Sequence, residues 1–144
     1  MLPKNLTTYC QKNDIKLTPL RSDVLEILAK HNNPLTAYEI LDLLKESNPK
    51  AQVMSVYRVL EFLQNHHLIH RIENLNAFIL CNHLSEHHIS QWLICEDCGN
   101  VEECTDKNFN QAIHKTAADR HFRVTAETIE LKGICVNCQD NKQT

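Results

Sequence analysis

Apolar positions recur at helical spacing three times in the first part of the chain, and each run carries its own start and stop signals. Thr18–Pro19 opens the first clear helix, with Thr18 as N-cap and Pro19 at the first helical position. Val24, Ile27 and Leu28 follow on one face, and Asn32-Asn33-Pro34 stops the run. Thr36-Ala37-Tyr38-Glu39 reads as a capping box, with Ala37, Ile40, Leu41 and Leu44 as the buried stripe and Asn48–Pro49 as the end. Ser55 is the next N-cap candidate, ahead of Val56, Val59, Leu60 and Leu63; Asn65-His66-His67 closes that helix. Two short apolar runs come next, residues 68–72 and 77–81, separated by Glu73-Asn74-Leu75-Asn76. They predict a β-hairpin.

Three helices followed by a hairpin is the order of a winged helix-turn-helix, although a plain three-helix bundle carrying a hairpin shares the pattern. In the winged arrangement the helix beginning at Ser55 is the recognition helix, whose N-terminal residues meet base edges in the major groove. Val56 and Val59 face inward, which leaves Tyr57, Arg58 and Glu61 outward. Arg58 can contact guanine through two hydrogen bonds, or be a solvated residue paired with Glu61. Tyr57 can reach a phosphate or a thymine methyl. Tyr38, in the first turn of the preceding helix, can point at DNA or cover the core. Free N–H groups at the Ser55 helix start favour an anion such as a phosphate.

The pattern changes after residue 82. Residues 83–90 are a polar connection and read as a hinge between a domain at 1–82 and a second at 91–144. Residues 91–94 form a strand running into Cys95, and Gly99–Asn100 turns the chain back into a strand over 101–104. Phe109, Ala112, Ile113 and Thr116 make a helical stripe, capped by Thr105 or Asp106. Apolar residues then alternate from Phe122 to Leu131, so a long strand or hairpin is expected, and Gly133–Ile134 turns the chain again. This is a small α/β unit with an exposed sheet edge, which dimerisation would cover.

Composition adds chemistry to this outline. Two Gly and four Pro argue against disorder, and no long apolar run at the N-terminus suggests a secretory signal or membrane span. Seven Cys without such a signal fit a reducing cytoplasm, where thiols bind metal; nine His push the same way. Residues 1–82 hold nine Lys and Arg against eight Asp and Glu; residues 83–144 hold six against ten. The Cys-rich part is therefore the acidic one, and any nucleic-acid contact must come from local patterning.

Cys95-Glu96-Asp97-Cys98 and Cys135-Val136-Asn137-Cys138 are two C-x-x-C pairs, as a tetrahedral Cys₄ zinc site requires, with 36 residues between them. One pair alone would equally suit thiol–disulfide exchange; two pairs favour zinc. A second set of potential ligands gathers around the junction: His70 and Cys81 on the hairpin, His88 in the hinge and Glu103 after the first knuckle. This mixed nitrogen, sulfur and oxygen set suits Zn²⁺ and disfavours Mg²⁺ or Ca²⁺. Singly, each is an ordinary surface or strand residue, and His83 or His87 can replace His88 if the register slips. Four protein ligands would leave no open position for hydrolysis, which argues against an enzyme. Cys10 and Cys104 are left over, the second as a surrogate ligand or a spectator; His66, His67, His114 and His121 read as surface residues.

Leu17-Thr18-Pro19-Leu20-Arg21, Ser55-Val56-Tyr57-Arg58, Cys95-x-x-Cys98-Gly99-x-Val101-x-Glu103 and Gly133-x-Cys135-x-x-Cys138 together resemble the ferric uptake regulator family along nearly the whole chain. The resemblance implies an α+β protein with an N-terminal winged helix and a C-terminal α/β dimerisation domain. It also implies a cytoplasmic homodimer, free of membrane, that binds an AT-rich inverted repeat in double-stranded DNA when metal is bound. The family's iron and peroxide branches carry a His-His-Asp-His run before the first C-x-x-C and a His eight residues before the second. Here Ser90-Gln91-Trp92 and Glu127 stand in those places. Tyr38-x-x-Leu41-x-x-Leu44, Leu80-Cys81 and His88, seven residues before Cys95, instead resemble the zinc-sensing branch. That branch implies two zinc ions per chain, one structural on the four paired Cys and one regulatory on His70, Cys81, His88 and Glu103. Tyr38, Ser55, Tyr57 and Arg58 are the implied DNA contacts, and repression of zinc uptake genes is the implied role. An iron- or manganese-responsive regulator of the same family is the alternative.

Overall fold

The computed structural model of the chain describes residues 1–84 and 90–142. It divides into two compact units, Met1–Glu86 and His87–Thr144. In the first unit the helices are α1 (Lys4–Lys12), α2 (Pro19–Lys30), α3 (Ala37–Leu44) and α4 (Val53–Asn65), with short strands β1 (Leu35–Thr36), β2 (Ile69–Ile72) and β3 (Ala77–Leu80). Thr18 caps α2, its hydroxyl accepting from the Arg21 N–H at 3.4 Å. Thr36 and Glu39 form the capping box that starts α3. The inward stripes meet in one core: Val24, Leu25 and Leu28 of α2, Ile40 and Leu44 of α3, and Val56, Leu60 and Leu63 of α4 are all at most 2% exposed. Burial of each such side chain stabilises by about 1.5–3 kcal/mol, which is what sets the mutual packing of the helices.

Three features depart from the sequence pattern. A helix precedes the first one expected: α1 packs Leu6 and Cys10 into the core, and burial pushes the Cys10 thiol above its ordinary pKa. Cys10 is therefore a core residue. The recognition-helix candidate α4 begins three residues earlier than expected, at Val53, with Gln52 as N-cap. Ser55 is not the cap: it sits in the first turn and donates its backbone N–H to the Gln52 carbonyl at 3.1 Å. Finally, the hairpin recruits β1, giving a three-stranded antiparallel wing in the order β1-β3-β2, with Leu35 opposite Phe78 and Thr36 opposite Ala77. Asn76 closes the hairpin turn at φ 47, a left-handed conformation that Asn tolerates. Leu84, placed in the polar connection by the sequence, still packs against the first core.

The second unit contains β4 (Gln91–Cys95), β5 (Val101–Cys104), α5 (Lys107–Asp119), β6 (Ile129–Gly133) and α6 (Val136–Lys142). Its sheet has the order β5-β4-β6, antiparallel between β4 and β5 and parallel between β4 and β6. The parallel pairing follows from α5, which carries the chain back to the start of the sheet. Asp106, not Thr105, caps α5 by accepting from the Phe109 N–H at 3.0 Å. The long strand expected over 122–131 is absent: only residues 129–133 join the sheet, and the Phe122 N–H is spent on the Ala117 carbonyl beyond the end of α5. Among the described residues the buried apolar ones here are few, namely Trp92, Ile94, Cys95 and Val101. No residue of α5 is buried, and its stripe residues Phe109 and Ile113 are 41% and 40% exposed.

Candidate metal centre and nucleic-acid interface

The antiparallel β4–β5 hairpin is the knuckle that presents Cys95 and Cys98. The Cys95 N–H donates to the Asn100 carbonyl at 2.9 Å and the Gly99 N–H returns to the Cys95 carbonyl at 3.0 Å. Gly99 completes this turn at φ +76, a conformation that costs a residue with a Cβ. Parallel pairing sets Cys95 beside Gly133, so the chain leaving β6 delivers Cys135 next to the knuckle. The Glu96 N–H locks that approach on the Gly133 carbonyl at 2.8 Å. The second pair differs from the first in that Cys138 lies on α6 and Cys135 just before it.

The four Sγ atoms lie within 4.8 Å of one another, and Cys98 and Cys135 are 3.8 Å apart. A tetrahedron of zinc–sulfur bonds of about 2.3 Å has sulfur–sulfur edges of about 3.8 Å, so the donor set and spacing fit zinc. The surroundings treat the thiols unequally. Backbone N–H groups of Cys135, donating to Cys95 Sγ at 3.3 Å, and then of Cys98 hold the Cys95 thiol down to about 6. The Asn100 N–H pulls Cys98 the same way, but the neighbouring thiols and burial outweigh it and the net shift is upward. Sharing with Cys135, then burial, pushes Cys138 up to about 12. One thiolate is thus preformed, and the crowding of the others is relieved when a cation accepts their sulfurs.

The second ligand set is distributed over both units. His70 lies opposite Ile79 in the hairpin, and the Cys81 N–H bonds the Leu68 carbonyl at 3.0 Å. That register puts His70 and Cys81 on one face as diagonal neighbours, about 7–8 Å apart at the backbone. Cys81 is buried and His70 Nε2 is shielded from solvent. Glu103, on β5 opposite Trp92, accepts from the Ser90 hydroxyl at 2.5 Å, and its other oxygen is shielded. His88 and the substitute His87 lie outside the described residues, while His83 is exposed. Among the described residues the four paired Cys are the metal-ligand cluster found. Cys104, opposite Gln91, is partly buried and its thiol is raised by burial and by the charges of Glu102 and Glu103.

Glu127, standing where the iron branch would place a His, is engaged by His114 Nε2 at 2.5 Å. His114 and His66 are both exposed, as the sequence reading expects, and the His66 ring packs 4.3 Å from that of Phe62.

On α4 the buried stripe of Val56, Val59, Leu60 and Leu63 leaves Tyr57, 38% exposed, and Arg58 on the outer surface. Arg58 has no ion pair with Glu61 or any other carboxylate among the described residues. Tyr38, in the first turn of α3, is 63% exposed and does not cover the core. The sequence pattern missed Met54, one helical turn before Arg58 on the same face and 59% exposed. Its position was hidden because the helix was expected to start after it.

Comparison with known proteins places this geometry. The sequence profile of the Ferric uptake regulator family matches residues 12–132. The chain is 35% identical over 131 residues to the zinc uptake regulation protein of Escherichia coli K12, covering 90% of this chain and 76% of that one. Among solved structures, one described as zinc uptake regulator complexed with zinc and DNA matches with a TM-score of 0.92 at 31% identity, covering 97% of this chain and 94% of that one. Holo XcZur matches with a TM-score of 0.84 at 33% identity, over 92% of this chain and 93% of that one.

Proposed function

The chain belongs to the ferric uptake regulator family, and on that premise we propose that it is a zinc-responsive transcriptional repressor acting in the cytoplasm. The observation that carries this reading is a Cys₄ site together with an outward Tyr57–Arg58 pair, in a chain similar to a regulator solved with zinc and DNA. Among the described residues no helix is long and apolar enough to cross a membrane. The protein is a regulator, not an enzyme.

In this reading the first unit reads double-stranded DNA. Arg58 takes a guanine edge, Tyr57 and Tyr38 contact backbone or base methyl groups, and Ser55 adds a hydroxyl in the first turn of α4. The second unit forms a homodimer: the uncovered stripe of α5 and the exposed edge strands β5 and β6 supply the apolar and hydrogen-bonding surface that a second copy covers. Two such units present two recognition helices to an AT-rich inverted repeat.

Two zinc ions per chain are proposed, one held by Cys95, Cys98, Cys135 and Cys138 and one by His70, Cys81, His88 and Glu103. The first supplies cross-linking that a sparse core does not. The ligands of the second come from the first unit, the connection and the second unit, so holding one ion together fixes the units at one angle. Without it the units sample other angles, and the recognition helices do not meet both half-sites. If the closed arrangement binds zinc about 100-fold better, the shift available is about 2.7 kcal/mol. The DNA-binding domain then spans 1–82, the hinge 83–90 and the metal-binding dimerisation domain 91–144.

His70→Ala and Cys81→Ser test this directly. Each should give a folded dimer with zinc content reduced from two to one per chain and with zinc-dependent operator binding lost. Tight operator binding by either variant in the presence of chelator would show the hinge site to be wrong. Against the iron alternative, the chain lacks the His run before Cys95, and Glu127, engaged by His114, stands where that branch has its further His.

A further inference from the structure

We propose that the notch between α2 and α4 seats a phosphate of the DNA backbone and that Arg21 holds it, an assignment that rests on the DNA-binding reading above. The notch is a hollow of about 240 Å³ lined by Thr18, Leu20, Arg21, Ser55, Arg58 and Val59. Its lining thus includes two arginines and two hydroxyl-bearing residues, and none of the six is acidic. Neither arginine has a carboxylate partner among the described residues. A concave site lined by two arginines and by no carboxylate is complementary to an anion from outside.

Arg21 is held for this task. Its guanidinium carbon lies 3.4 Å above the centre of the Phe62 ring, and Nη1 donates to the Lys16 carbonyl at 2.8 Å. The stack fixes the plane of the group, and one hydrogen bond leaves most of its five N–H donors uncommitted. Phe62, Ser55 and Arg58 all belong to α4, and Ser55 and Arg58 line the notch with Arg21. A phosphate seated there lies beside the base that Arg58 reads. Arg21 would therefore set the depth and register of α4 in the groove, while Arg58 selects the sequence. Lys16, at the other end of the Arg21 contact, contributes a carbonyl; its own charge is not needed.

The stack also ties α2 to α4, so a purely structural role for Arg21 must be separated from phosphate contact. Salt dependence separates them. Zinc-loaded wild type, Arg21→Gln and Arg21→Lys are titrated onto operator and onto an unrelated duplex between about 50 and 200 mM salt. Loss of one phosphate contact per chain should reduce the slope of log K against log salt by about 0.9 per arginine, close to two per dimer. Arg21→Gln should show that reduction on both duplexes with an unchanged specificity ratio, and Arg21→Lys should retain most of the slope. A Gln variant that binds with the wild-type slope, with only its melting temperature lowered, would make Arg21 a clasp and overturn the assignment.

Operators with single neutral methylphosphonate linkages provide a readout on wild type that does not depend on any variant folding. One linkage per half-site, next to the base pair protected by Arg58, should lower the slope by about 0.9. Absence of such a linkage overturns the assignment. If wild type fails to bind operator in a zinc-dependent way, the regulator reading itself falls, whereas tight wild-type binding without these slope changes removes only the phosphate site.

Discussion

Replacing Cys98 by Ser takes away one of four ligands at the point where the second unit is least able to compensate. Among the described residues its buried apolar ones are Trp92, Ile94, Cys95 and Val101, and one of these is itself a ligand. Full burial of a side chain of this kind stabilises by about 1.5–3 kcal/mol, whereas zinc on a structural site contributes apparent binding energies of about 10–16 kcal/mol. The ion is thus worth several of the side chains the unit buries. Ser at 98 offers a poor zinc ligand beside a Cys135 sulfur that sits 3.8 Å away. We expect Cys98→Ser to lose its structural zinc and to lose the cooperative unfolding of the second unit, and with it dimerisation. The first unit should persist, because α1 to α4 and the wing share a core that contains no zinc ligand. Light scattering, zinc content and hydrogen exchange on the same sample measure these outcomes. Slow exchange at Trp92 to Cys95 in a dimeric, zinc-depleted Cys98→Ser protein would refute the reasoning.

Two further outcomes follow from the site geometry. Arg58→Ala should relax discrimination at one base position per half-site by about 1–3 kcal/mol while zinc stoichiometry stays at the wild-type value; an unchanged footprint and base preference would remove Arg58 from the readout. Zinc binding to stripped protein should release protons. Cys98 and Cys138 are raised above the ordinary thiol value and hold their protons at neutral pH, Cys95 at about 6 does not, and zinc takes thiolates. Affinity therefore rises with pH, by about a hundredfold per pH unit when two protons are displaced, and falls as pH drops. Calorimetry in buffers of different ionisation enthalpy counts those protons; zero released would contradict the assignment of thiol states.

Much of this fold was legible because the relevant signals are local. Thr18–Pro19 and the Thr36–Glu39 box mark helix starts by capping chemistry, and each cap is made as the residue types require. The hairpin and the knuckle were readable from a change of period and from Gly99. Signals that depend on tertiary context were not. In α1 only Leu6 and Cys10 of nine residues are buried, so its stripe is too sparse to register as periodicity. Ser55 looked like a cap because its residue type favours that role, but Gln52 starts α4 without any side-chain hydrogen bond. Alternation from Phe122 to Leu131 imitated a strand, yet the Phe122 N–H closes the end of α5 and Phe122 itself is 68% exposed. The Cys₄ centre was legible because its spacing fixes its chemistry. The stack of Arg21 on Phe62 was not, since it joins positions 41 residues apart that carry no shared motif.

The central claim is that zinc at a second site switches DNA binding on. Its most direct measurement is the affinity of wild-type protein for a labelled AT-rich inverted-repeat duplex across a series of buffered free-zinc concentrations, with metal content read on each sample. Affinity should rise by about 100-fold as zinc per chain goes from one to two, matching the closed-state preference invoked for the hinge. Equal affinity at one and two zinc per chain would contradict it.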